Sequence, residues 1–340
     1  MESPLISIIS PTYNHQKFIE ECLNSVLSQS YPHWEMHIMD DGSTDKTGEI
    51  ALKYAEKDIR INYHYQDNIG VHRLHETYNK ALRLCQGEYI AILECDDTWF
   101  PDKLERQVEA MAKDPACVLA WSSAYNSRLE INSILKTQPD KEQWVHRADF
   151  ENNPVGRIAH SLYFGNYIPA LTIFIRKAAL LEIGGFQYLE NLPLIDQPTL
   201  LQLSLKGRFY FDEKPLGTWR RYTGQTTKKL SLHILEGVKK YVYHHFDSLT
   251  EVQKKVIDLK REDITRHFYT MEMSGRSTYA RACLMRKEFT QARTQYLQVI
   301  FFPHTFNFMW RLRSLVGYVM SLLGWDVELL ARLMGKRYYK

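Results

Sequence analysis

Short apolar runs alternate with helix-period stretches through the first hundred residues. Leu5 to Ser10 reads as a buried strand, and Ile19, Cys22, Leu23, Val26 and Leu27 then recur at the spacing of one helical face. Trp34 to Met39 is a second strand, followed by a helix capped by Ser43 or Thr44 and carrying Ile50, Ala51, Tyr54 and Ala55. Ile61 to Tyr65 is extended again, Leu74, Tyr78, Ala81 and Leu82 mark a third helix, and Tyr89 to Leu93 is a fourth strand. Pro101 stands where another helix would begin, with Leu104, Val108 and Met111 at helical spacing. Four strand and helix alternations predict an α/β fold, a mostly parallel sheet with helices on both faces.

Beyond this, Cys117 to Ser122 reads as a strand, and Asn126 to Pro154 is polar and irregular, as expected of a binding loop or lid. Ile168 to Ile175 restores sheet character, Gly184 and Gly185 end a helix, and Asp196 opens another whose Leu200, Leu201, Leu203 and Leu205 face inward. From about residue 230 the pattern is wholly helical.

Composition narrows the class. Over 340 residues, 44% are hydrophobic and 24% charged, ordinary globular values for one large domain with an appendage or for two domains. The longest uncharged stretches fall short of the roughly 20 apolar residues of a spanning helix. The start, MESPLISIIS, lacks the basic region of a signal peptide, so the expected location is cytoplasmic. Cys22, Cys85, Cys95, Cys117 and Cys283 lie far apart without zinc-ligand spacing, so they read as small buried apolar residues. Residues 1–229 carry 25 Lys and Arg against 30 Asp and Glu, whereas residues 230–340 carry 18 against 10. An acidic part able to hold a metal is thus followed by a basic part suited to an anionic surface.

In an open parallel sheet, ligands bind beyond the carboxyl ends of the strands. Here the first strand ends in Pro11, Thr12, Tyr13 and Asn14, the second in Asp40, Asp41, Gly42 and Ser43, the fourth in Glu94, Cys95, Asp96 and Asp97. Taken singly, the acidic strings read equally well as a turn with a helix cap and as a strand exit. Together they place Asp40, Asp41, Glu94, Asp96 and Asp97 along one sheet edge. Like charges at that density call for a cation or shifted pKa values, and Mg²⁺ or Mn²⁺ gripping a diphosphate answers the need.

The strings LISIISPTYNH, WEMHIMDDGSTDKT, GEYIAILECDDTW, GGF and IDQPTLLQLSLKG, in this order, resemble the inverting GT-A glycosyltransferases of family 2 over roughly residues 5 to 222. The resemblance implies a nucleotide-sugar fold, with Tyr13 stacking on the base, Pro11 and Thr12 shaping its loop, and Asp41 bonding the base. It further implies Asp96 near the ribose, Asp97 on the metal and Asp196 as general base. The family's Glu before that aspartate is Ile195 here. Arg220 and Arg221 fall in a string that closes over the diphosphate in relatives, although Tyr222 replaces its usual His. Asn79 matches a common family residue, while Tyr78 stands where an Arg is usual, and Arg73 is a candidate substitute. His72, Arg73 and His75 read either as lining the nucleotide or as a solvated helix start.

The chemistry is coherent without the family name. Displacing a nucleoside diphosphate from an anomeric carbon needs charge neutralisation on the phosphates, a carboxylate for the acceptor proton, and exclusion of water. A single carboxylate base opposite the leaving group gives inversion. The expected enzyme is a glycosyltransferase of hexosyltransferase type that uses Mn²⁺ or Mg²⁺ to move a sugar, with a UDP-sugar implied as donor. Its acceptor would be a hydroxyl in surface glycan or polysaccharide biosynthesis, with no role for nucleic acid. Rival readings are a sugar nucleotidyltransferase, which would carry a glycine- and arginine-rich loop after the first strand where this sequence has Ser10 to Asn14, and a non-catalytic interaction protein on the same fold.

The expected organisation is a catalytic domain over 1–229 and a helical region over 230–340. Residues 265 to 300 resemble one tetratricopeptide-like hairpin, which must pack on the catalytic domain or on a partner. From Phe301 the chain is aromatic and cationic, suiting helices lying in a membrane interface, where acceptors are often lipid-linked, and equally a buried cap. The first alternative adds peripheral contact at the inner face of the membrane through residues 301–340.

Overall fold

The computed structural model describes residues 3–128, 133–139, 147–189, 192, 194–222, 231–303 and 308–325. The chain divides into two compact units, Met1–Leu259 and Lys260–Lys340.

In the first unit, β1 (Ile6–Thr12), β2 (Trp34–Asp40), β3 (Ile61–Tyr65) and β4 (Tyr89–Ile92) are the four expected strands. A short β5 (Thr98–Trp99) precedes β6 (Cys117–Ser122), β7 (Ala124–Arg128), β8 (Ser133–Gln138), β9 (Phe174–Arg176), β10 (Arg208–Asp212) and β11 (Gly217–Arg221). Seven strands form the main sheet in the order β10-β6-β9-β4-β1-β2-β3. β1 runs parallel to β2 and β4, β2 to β3, and β6 to β10. β9 is inserted antiparallel between β4 and β6. Every residue of β1 is buried, as expected of a central strand covered on both faces.

Helices Ile19–Leu27, Thr47–Ala55, Leu74–Leu84 and Lys103–Lys113 cover the sheet where periodicity placed them. The cap before Thr47 differs from expectation. Asp45 accepts the Thr47 amide, while Ser43 and Thr44 bond to Asn14 instead. The larger correction is the expected irregular stretch from Asn126 to Pro154. Among its described residues β7 and β8 pair antiparallel and join β11 and β5 in a second, four-stranded sheet, β5-β11-β7-β8. All five cysteines are buried.

In the second unit, the Arg261–Met285 and Phe289–Ile300 helices form the hairpin, around Ala280, Cys283, Leu284, Ala292 and Tyr296. The Phe308–Leu323 helix supplies Tyr318 and Met320 to this small core. The expected cations Arg332, Lys336, Arg337 and Lys340 lie outside the described residues. Among the described residues no helix is long and apolar enough to cross a membrane.

Candidate active site

The loops leaving β1 and β2 are stitched together. Ser43 Oγ accepts the Asn14 amide at 2.9 Å, Asn14 Oδ1 accepts the Thr44 amide at 2.9 Å, and Asp45 accepts the Gln16 amide at 3.1 Å. Pro11 and Thr12 are buried as the end of β1, while Tyr13 just beyond is 47% exposed and presents an open ring. Asp40 is internal: its carboxylate accepts the Ser43 amide and the Tyr63 hydroxyl. Asp41 is held by the segment after β3, accepting from Gln66 Nε2 and the Ile69 amide at 2.9 Å and from the Gly70 amide at 3.2 Å. Asp40 and Asp41 stand at the carboxyl end of β2, on the edge where five carboxylates were expected, with oxygens that accept from the surrounding loops.

The other three carboxylates do gather, and Asp196 joins them. Burial raises the Glu94 carboxyl to about 7, with the charges of Asp96 and Asp196 adding to the effect. Asp97 is almost fully buried and raised well above the usual carboxylate range, first by burial and then by Asp96. Tyr78 donates to Glu94 Oε1 at 3.0 Å, and Tyr222 donates to Asp96 Oδ2 at 3.1 Å. Among the described residues no three His, Cys, Asp or Glu side chains converge as a preformed cation cage.

Asp196 begins the Asp196–Leu203 helix and is half-buried, its carboxyl raised by burial. Asn166 Nδ2 donates to its Oδ2 at 2.6 Å, which holds the side chain and favours the charged form. The segment before this helix is fixed by Asn79, which bonds both the amide and the carbonyl of Phe186 at 2.9 Å. Gly185 lies at φ +93°, and a Cβ there would meet Asn79 Oδ1 at 2.5 Å, so only glycine fits against the clamp.

The two arginines of β11 part company. Strand alternation buries Arg220 and leaves Arg221 half-buried. The Arg220 guanidinium pairs with Glu21 and donates to the Asp96 carbonyl at 3.0 Å, while its backbone N–H donates to Asp97 Oδ1 at 2.8 Å. The Arg221 guanidinium lies 4.2 Å from the Trp219 ring centroid.

Four contributors escaped the sequence reading. Glu94 was counted among the carboxylates but given no role, Tyr78 was named only as standing where an Arg is usual, and Asn166 belongs to no string, yet Tyr78 and Asn166 each orient an acid. His15 lies within electrostatic reach of Asp96, Asp45 and Asp40, and burial lowers its pKa against their pull. His72 and Arg73 stand in a short 3₁₀ turn, where Arg73 pairs with Glu76, and His75 stacks on Tyr188 at 4.0 Å between centroids.

Residues 7–167 match the family described as glycosyl transferase family 2. This segment belongs to that family. The chain is 49% identical over 120 residues to the putative teichuronic acid biosynthesis glycosyltransferase TuaG of Bacillus subtilis, covering 35% of this chain and 46% of that protein. It is 35% identical over 116 residues to the UDP-Glc:α-D-GlcNAc-diphosphoundecaprenol β-1,3-glucosyltransferase WfgD of Escherichia coli, covering 34% and 44%. The chain thus spans less than half the length of either relative. Two solved structures share the fold: Staphylococcus aureus TarS 1–349 with UDP-GlcNAc and Pyrobaculum calidifontis mannosyltransferase PcManGT with GDP-Man and Mn²⁺. The TM-scores are 0.58 and 0.56 at 17% and 18% identity, covering 98% and 95% of this chain and 93% and 88% of theirs. The chain therefore has the GT-A type sheet, followed by a helical C-terminal part.

Proposed function

We propose that this chain is an inverting glycosyltransferase that moves a sugar from a nucleotide sugar, a UDP-sugar, to the hydroxyl of a lipid-linked acceptor in surface glycan synthesis. The observation that carries the reading is the gathering of Asp196 with Glu94, Asp96 and Asp97 beyond the carboxyl ends of the strands. The UDP-sugar and the lipid-linked acceptor are supported by the relatives' names and by the UDP-GlcNAc complex of TarS.

In this reading Tyr13 stacks on the base, with Pro11 and Thr12 fixing its loop and Asp41 holding the neighbouring wall. Asp196 takes the acceptor proton. Burial raises its basicity toward neutral pH, while Asn166 keeps it charged and aimed. Arg220 acts as a positioning residue behind Asp96 and Asp97, and the role of phosphate contact falls to Arg221.

The donor set fits a divalent cation. Burial and mutual repulsion disfavour the charged forms of Asp97 and Glu94, and a metal charge would offset that penalty. Asp97, with Asp96 beside it, would hold Mn²⁺ or Mg²⁺, which when bound supplies charge neutralisation at the leaving diphosphate. The neighbour's Mn²⁺ supports this assignment.

A transfer assay with UDP-sugars and a lipid diphosphate-linked acceptor, followed by NMR of the new linkage, tests the reading. Metal-dependent formation of a β-linkage from an α-linked donor is expected. Retention of configuration, or turnover indifferent to chelator, overturns it.

A further inference from the structure

The Phe308–Leu323 helix is built inside out. Its fully buried residues are Ser314, Gly317 and Ser321, with Tyr318 and Met320 half-buried against the small core, while six other large apolar residues face outward. Leu312, Leu315, Val316, Val319, Leu322 and Leu323 are each between 42% and 55% exposed. At 3.6 residues per turn these six fall within an arc of about 120°.

Packing holds the helix in that orientation. A Cβ on Gly317 would meet the Tyr296 ring at 2.3 Å, and Ser314 Oγ hydrogen-bonds Ser277 Oγ at 3.3 Å. Rolling the apolar arc inward would drive leucines into the space that a glycine and two serines occupy at the closest approach, and would lift Tyr318 and Met320 off the core. The outward face is therefore a fixed feature of the unit.

Charge selects the occupant. Arg311 and Arg313 lie on the two margins of the arc, and the sequence holds no acidic residue between Glu288 and Asp326. Two copies of this face would bring cationic margins together with no carboxylate to answer them. An anionic lipid surface answers both features, taking the apolar arc among acyl chains and the margins among headgroups. Trp325, 57% exposed at the end of the helix, suits the interface. The helix has 16 residues, about 24 Å in length, so it lies along a bilayer rather than through it.

We infer that the outward face of the Phe308–Leu323 helix docks this chain in plane on an anionic membrane. The inference deepens the lipid-linked acceptor reading, but its test measures binding alone, so either can fail without the other.

Co-sedimentation of the full chain with phosphatidylglycerol-containing vesicles, beside pure phosphatidylcholine vesicles, provides that test. Binding to the anionic vesicles should weaken with salt and fall at least tenfold in Leu315→Glu combined with Val319→Glu. Both positions are exposed, so the melting temperature should stay within about 2 °C. Arg313→Glu should weaken binding to anionic vesicles while leaving weak binding to neutral ones unchanged. Equal binding of wild type and the double variant overturns the inference. So does a concentration-dependent oligomer, seen by light scattering and abolished by the same pair without any vesicle binding, which would assign the face to a second copy. Absence of both behaviours overturns it too.

Discussion

The backbone N–H of Arg220 donates to Asp97 Oδ1 at 2.8 Å, joining two residues 123 positions apart. The Arg220 side chain doubles the tie through the Asp96 carbonyl and Glu21. The second sheet thereby holds the acidic segment from behind.

Arg220→Ala should lower stability by about 2 kcal/mol, the scale of lost hydrogen bonds to a charged group, and weaken nucleotide binding as the Asp96 carbonyl loses the guanidinium, while the backbone bond to Asp97 is kept. Glu21→Gln should do much less, because the Glu21 side chain is 70% exposed. Thermal melts with titration of UDP distinguish the two. An Arg220→Ala protein with unaltered melting and affinity would refute the supporting role.

Asp97→Asn should abolish the Mn²⁺-dependent part of UDP binding. For the unmodified chain, nucleotide and metal at a hundredfold excess over Kd should stabilise the native state by about 2.7 kcal/mol, and the variant should lose the part of that increment that depends on the metal. Thermal shift with and without chelator reads the difference directly.

Asp196→Asn should leave donor binding intact and lower transfer by about 10²- to 10⁴-fold. Asn166→Ala is subtler. Loss of its hydrogen bond removes stabilisation of the carboxylate, so the Asp196 pKa rises further and the acid limb of the kcat/KM profile moves to higher pH. The variant should recover activity as pH increases, whereas a purely structural defect would depress the rate at every pH.

His245 sets a pH limit on stability. Its ring is buried, its Nδ1 lies 2.6 Å from the Tyr163 hydroxyl, and burial lowers its pKa from 6.5 to about 4. The unfolded chain binds the extra proton first as pH falls, so the contribution is complete above about 6.5 and disappears progressively toward 4, amounting to about 3 kcal/mol. Denaturant unfolding of His245→Gln between pH 7 and 4 should show a shallower loss than the unmodified chain.

The parts of the fold written in local period were legible. β1 to β4 and the helices between them repeat clear alternations of two and 3.6, and the acids that follow strands stand where the topology exposes strand ends. The pair β7 and β8 was missed because strings such as Ala124–Arg128 carry polar residues on both faces and lie beyond the reach of an apolar pattern. The gathering of Asp196 with Glu94 and the roles of Asn166 and Tyr78 depend on contacts between distant segments, which a linear string does not encode. Arg220 and Arg221 were readable in principle, since adjacent strand residues must point to opposite faces.

The placement of β9 governs how this sheet comes into being. Phe174 to Arg176 pair on one side with β4 and on the other with β6, so neither neighbour has a complete set of backbone partners until chain synthesis has passed residue 176. A fragment covering only 7–167 would leave two open edges in mid-sheet, inviting pairing between fragments. The sheet thus closes late and over long chain separations, a topology associated with slow folding, and truncation for expression belongs well beyond Arg176.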